Sequence, residues 1–130
     1  MILAVKLVMT LATLFFAVGL AFPRRNNPLH RILMSAGFLS TVAIAVVLVV
    51  GVQIFGAGYE AAPWLVQVTG GVEGAARVLI THRLVATVTF FALFFQVVAG
   101  FRRKPVHTRF FKVVIPLWII TYLSGLVIFV

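Results

Sequence analysis

Three stretches of this 130-residue chain contain no charged residue: 32–55 (24 residues), 84–101 (18) and 113–130 (18). A fourth, 1–22, is interrupted only by Lys6. About 20 apolar residues rising 1.5 Å each cross a hydrocarbon layer of roughly 30 Å. Within that layer the backbone must satisfy its own N–H and C=O groups, which a helix does and an open strand does not. The alternating pattern of a membrane barrel is absent. The runs predict an all-α integral membrane protein, a single domain of four transmembrane helices forming two antiparallel hairpins. The expected spans are 1–22, 32–55, 78–101 and 112–130, with an interfacial outer loop at 56–77. Composition agrees, at 63% hydrophobic and 10% charged, against roughly 25% charged in soluble domains.

Charge placement orients the hairpins. Of 11 Lys and Arg residues, eight fall in two short segments: Arg24, Arg25 and Arg31, then Arg102, Arg103, Lys104, Arg109 and Lys112. Both acidic residues, Glu60 and Glu73, fall in the remaining connector with Arg77. Basic connectors stay cytoplasmic, so both termini are expected outside. The net charge of +9 is read as topology plus attraction to anionic headgroups, at about 1 kcal/mol per residue, and not as a nucleic-acid surface. The basic cluster follows the first apolar run instead of preceding it, so that run reads as a retained helix and not a signal peptide.

The chain has no cysteine, which removes disulfides, CxxC redox chemistry and thiolate metal sites. The two acidic side chains cannot form an intramembrane acid–base pair, and neither a nucleophile elbow nor a phosphate loop is present. No enzymatic activity is expected.

The basic connectors share a pattern. "FPRRNNPLHR" (22–31) and "FRRKPVHTR" (101–109) each run Phe, Arg-Arg, Pro-x-His, Arg, and each follows a similar motif, "LFFAV" (14–18) and "LFFQV" (93–97). This reads either as a duplicated hairpin, a parallel repeat about an axis normal to the membrane, or as chance matching in an apolar composition. Under both readings His30 and His107 occupy equivalent places on one face. The outer connector carries five glycines around "APWLVQV", expected to lie in the interface and not to span it. Pro116 is expected at the start of the last helix, where proline costs least.

Depth sorts the polar residues into two layers. The inner one holds His30, Met34, Ser35, Gln96 and His107. His30 and Met34 are four residues apart and share a helix face; imidazole with thioether suits Cu(I), or one side of a haem. The outer layer holds Met9, Thr10, Gln53, His82, Arg83, Thr121, Tyr122 and Ser124, where His82 either meets Tyr122 or ligates a cofactor. His82 and His107 stand about 30 Å apart along one hairpin, so no single metal ion takes both. The plain alternative is that all three histidines are interfacial residues among arginines.

Together, "HRILM" (30–34), "ITHRL" (80–84), "KPVHTRF" (104–110) and "PLWIITYLSGLVIF" (116–129) resemble the CtaM-type family of small bacterial four-helix membrane proteins, long catalogued as a domain of unknown function. The resemblance spans nearly the whole chain. It implies a plasma-membrane factor for maturation of a haem–copper terminal oxidase, with oxidase subunits as partners and copper or haem handled by His30, His82 and His107. One departure is that the family's additional histidine at the outer end of helix 2 is replaced in "GVQIFG" (51–56), where Gln53 is a poor ligand for Cu(I). The competing readings are a structural accessory subunit of a respiratory complex and a small b-type cytochrome with its cofactor between facing helices.

Overall fold

The computed structural model describes residues 2–22, 27–53 and 62–129, without the side chains of 52 and 53. Arg24, Arg25, Glu60 and the glycines at 56 and 58 lie outside the described residues, as does the side chain of Gln53. The elements are α1 (Ile2–Ala21), α2 (Pro28–Gln53), α3 (Pro63–Val68), α4 (Val72–Phe101) and α5 (Val106–Ile128). The four long ones are apolar and long enough to cross a membrane. The chain is thus an all-α, multi-pass membrane protein. Backbone contacts divide it near residue 57 into two compact units.

Three helices begin earlier than the loss of charge suggests. α2 starts at 28, ahead of the span expected from 32, α4 at 72, ahead of 78, and α5 at 106, ahead of 112. Arg31, Glu73, Arg77, Arg109 and Lys112 are therefore helical residues. The end of an uncharged run marks where hydrocarbon ends, but a helix continues until its backbone is broken. Pro28 opens α2, where its fixed φ suits a first turn. Gly70 (φ 76°) and Gly71 (φ 129°) break the chain before α4. At about 45 Å, α4 overshoots a hydrocarbon layer of about 30 Å, and its first turns carry the exposed Glu73–Arg77 pair at 2.7 Å. Pro116 is corrected from helix start to helix interior. Its missing N–H leaves the Lys112 carbonyl without an i+4 donor, a defect that membrane helices tolerate when neighbouring groups re-satisfy it.

In the first unit the buried positions run 12, 16, 19 on α1 and 30, 37, 41, 44, 51 on α2. Steps of three, four and seven describe a single seam along each helix. Small residues set the approach: a Cβ on Gly37 would fall 2.6 Å from Cε1 of Phe16. The outward stripe of α1 is Leu3, Leu7, Leu11, Leu14 and Val18, all exposed. The interior is thus no more apolar than the surface, as expected when lipid leaves little hydrophobic drive between helices.

The second unit packs α4 against α5, with α3 over their far end. Leu65 of α3 meets Ala75 and Ile128, flanked by Val66, Val78, Leu79 and Phe129. The Ala62 N–H donates to the Ile128 carbonyl at 3.0 Å. Midway along the pair, Thr89, 1% exposed, and Thr121 join hydroxyls at 2.8 Å. Hydroxyls elsewhere in the helices bond the carbonyl four residues back, as at Thr13, Ser40, Thr41 and Thr87.

α4 ends in a Schellman turn. The Lys104 N–H reaches the Ala99 carbonyl and the Arg103 N–H the Gly100 carbonyl, both at 3.0 Å. Arg103 occupies the left-handed position (φ 50°) that glycine normally fills. Substituting R103G should raise stability in detergent by about 1 kcal/mol. Conversely, G37A should lower it by about 1–3 kcal/mol through overpacking on Phe16, both read by equilibrium unfolding followed by circular dichroism.

Candidate functional site

His30 lies in the first turn of α2, two residues after Pro28, and is 7% exposed. Its Nδ1 is 2.7 Å from the carbonyl oxygen of Gly19 near the end of α1. A carbonyl only accepts, so Nδ1 carries the proton and donates it. That carbonyl has a reason to be available. Four residues beyond Gly19 the sequence has Pro23, which owns no N–H. Gly19 also admits Met34, since a Cβ there would lie 3.0 Å from Met34 Sδ. His30 and Met34, neighbours on one face of α2, thus converge on the same glycine.

His107 repeats the device in the second hairpin. It follows Pro105 by two residues, and its Nδ1 donates at 2.9 Å to the Gln96 carbonyl. In both hairpins the acceptor lies 11 residues upstream of the histidine. Gln96 returns the contact, its Nε2 donating to the His107 carbonyl at 2.9 Å. Gly100 makes room for the ring: a Cβ there would lie 2.8 Å from His107 Cε1. Gln96 is 4% exposed, and its Oε1 is a buried atom without a hydrogen-bond partner among the described residues.

His82 stands on α4 and faces α5, where Ser124 and not Tyr122 takes its Nδ1 at 2.8 Å. The Ser124 hydroxyl lies 2.6 Å from the Ile120 carbonyl and donates there. Its oxygen therefore accepts from the imidazole, giving a chain from His82 Nδ1–H through Ser124 to the Ile120 carbonyl. Phe129 packs edge-on to the ring, centroids 5.3 Å apart. An open groove of about 300 Å³ runs past His82 between α4 and α5.

All three histidines place Nδ1 against an oxygen, so the neutral form of each ring carries its lone pair on Nε2. This is the tautomer a metal-ligating imidazole adopts when its other nitrogen is anchored. The side chains do not gather into one centre. Within the second unit, His107 and the Ser124 that holds His82 stand about 25 Å apart along α5. Among the described residues no group of three or more His, Cys, Asp or Glu side chains is placed to hold a metal ion. His30 and Met34, an imidazole and a thioether, both lie against Gly19, and both are neutral ligand types that copper accepts. Two imidazoles facing each other across a haem do not occur within the second unit.

No family model, curated protein or solved structure matches this chain. Sequence reasoning had placed Gln96 and His107 in one layer, but it did not single out Thr89, nor pair His82 with Ser124.

These assignments predict a signature in 15N NMR of the imidazoles at alkaline pH: protonated Nδ1 and bare Nε2 at His30, His82 and His107. Substituting H30A should cost about 0.5–1.5 kcal/mol, the worth of one hydrogen bond, measured by unfolding in detergent.

Proposed function

We propose that this chain is an accessory factor of the bacterial plasma membrane for maturation of a haem–copper terminal oxidase. Its basic turns face the cytoplasm beside anionic headgroups, and it passes copper through the first hairpin. The observation that carries the reading is the convergence of His30 and Met34 on Gly19. The Gly19 carbonyl fixes the imidazole as an Nε2 base, and Met34 brings a thioether to the same glycine. Two neutral donors, one of them a soft thioether, suffice for a low-coordinate cuprous ion and hold it less firmly than a three- or four-ligand centre, which suits transfer over storage. The resemblance to the CtaM-type family supplies the oxidase as client.

A second reading is favoured by a specific feature. His30 and His107 both fasten a hairpin by the same bond to the preceding helix, which a purely structural subunit of a respiratory complex would also require. Copper separates the two. Purified protein in detergent should compete with a chromophoric Cu(I) chelator. H30A and M34A should each reduce bound Cu(I) to background, whereas H107A should leave it unchanged. Membranes from cells lacking the chain should show reduced oxidase activity and reduced oxidase copper, restored by the wild-type protein but not by M34A. Full restoration by M34A would leave the structural reading standing.

A further inference from the structure

A groove of about 300 Å³ runs between α4 and α5 at the end remote from their basic turn. Arg77, Thr81 and Val85 follow one another along its α4 wall, and Ile120, Ser124 and Ile128 along its α5 wall. Steps of four keep each row on one helix face. The polar groups are ordered by depth. Arg77 is outermost, in the second turn of α4, and Glu73 accepts from one of its guanidinium nitrogens at 2.7 Å. A guanidinium has more N–H groups than that bond uses, so positive charge and donors remain at this end. His82 stands about 7.5 Å deeper along the helix. Its Nδ1 donates to Ser124 at 2.8 Å and the Ser124 hydroxyl donates on to Ile120, which leaves Nε2 of the neutral ring as an acceptor. The Thr81 hydroxyl donates to the Arg77 carbonyl at 2.9 Å, so this middle level accepts. Gly125 leaves the ring edge clear, since a Cβ there would stand 3.8 Å from Nε2. The inner end, at Val85 and Ile120, is apolar.

We infer that this groove binds an anionic lysophospholipid, its phosphate on Arg77, its free glycerol hydroxyl on His82 Nε2 and its single acyl chain along Val85 and Ile120. The occupant must be an amphiphile, because the groove opens between two membrane-spanning helices. Reading inward, the groove offers a cation, an acceptor and an apolar wall. This lipid presents an anion, a hydroxyl and a chain in the same order. With a hydrogen bond of about 2.8 Å at each end, the P–O–C–C–O bridge between phosphate and hydroxyl covers the interval from Arg77 to His82. A diacyl phospholipid carries an ester where the hydroxyl would be, with no proton to give. Its second chain also exceeds a groove at the small end of the volumes that ligand sites have. A fatty acid has no hydroxyl between head and chain, and a monoacylglycerol has no charge. The inference concerns binding at α4 and α5 alone and stands independently of copper at His30.

The test uses the full chain in a neutral maltoside detergent, followed by native mass spectrometry and by the 15N shift of His82 Nε2. Four ligands are compared: oleoyl lysophosphatidic acid, its analogue with hydrogen in place of the free hydroxyl, monoolein and dioleoyl phosphatidic acid. Lysophosphatidic acid should bind about tenfold more tightly than the deoxy analogue, the worth of one hydrogen bond in a dry site, and should move the Nε2 resonance. Its preference over monoolein should be about fivefold, because Arg77 is exposed and shared with Glu73. Phosphatidic acid should bind no better than the deoxy analogue. H82F lacks the acceptor and should abolish the preference over the deoxy analogue. R77Q, at an exposed position, should abolish the preference over monoolein, whereas E73Q frees the guanidinium and should increase it. Equal affinity for lysophosphatidic acid and its deoxy analogue, an unmoved Nε2 resonance, wild-type selectivity in R77Q, or phosphatidic acid binding as tightly as the lysolipid would each overturn the inference.

Discussion

Lipid cannot accept a hydrogen bond, and this constraint governs both the backbone and the side chains of this protein. Four apolar helices satisfy the main chain internally. Threonine and serine hydroxyls bond the carbonyl four residues back, and interhelical contacts consist of a few polar bonds between closely packed seams. Thr89 with Thr121, Gln96 with His107, and His30 with Gly19 are such bonds. Many leucine, valine and phenylalanine side chains, Leu3, Leu84, Val88 and Phe91 among them, are left for the outer surface, where acyl chains can solvate them.

The histidines are best understood from this solvent. Each turns Nδ1 to an oxygen of a neighbouring helix and donates a hydrogen bond there. For His30 the acceptor is a carbonyl that the downstream Pro23 cannot serve, so a helix end and a helix start complete one another. Once Nδ1 is spent, Nε2 is left as a base in a poorly hydrated setting. A histidine that fastens one helix to the next thereby leaves its second nitrogen unspent.

Much of the architecture was readable from the sequence because it depends on long uncharged runs. The number and order of the long helices and the short segment at "APWLVQV" follow from length and turn residues. The grouping of Gln96 with His107, and of His30 with Met34, follows from depth and helical spacing. The helices extend beyond the uncharged spans because charge reports the membrane boundary, whereas Pro28 and Gly70–Gly71 set where the backbone turns. Pro116 was misplaced for the same reason. The partner of His82 depends on the rotation of α5 about its own axis: Tyr122 and Ser124 have similar depth but lie on different faces. Nothing in an almost uniformly apolar helix fixes that rotation, and Thr89 is invisible for the same reason, one threonine among several until Thr121 is seen opposite it.

The central claim is that this chain folds in lipid with its arginine-bearing turns on the inner side, and the absence of native cysteine makes it directly measurable. Single cysteines introduced by G70C and by K104C can be probed in intact cells with a membrane-impermeant maleimide. Labelling at 70 without permeabilisation, and at 104 only after it, is the predicted result. Labelling at 104 from outside, or at neither position unless the cells are opened, would contradict the account.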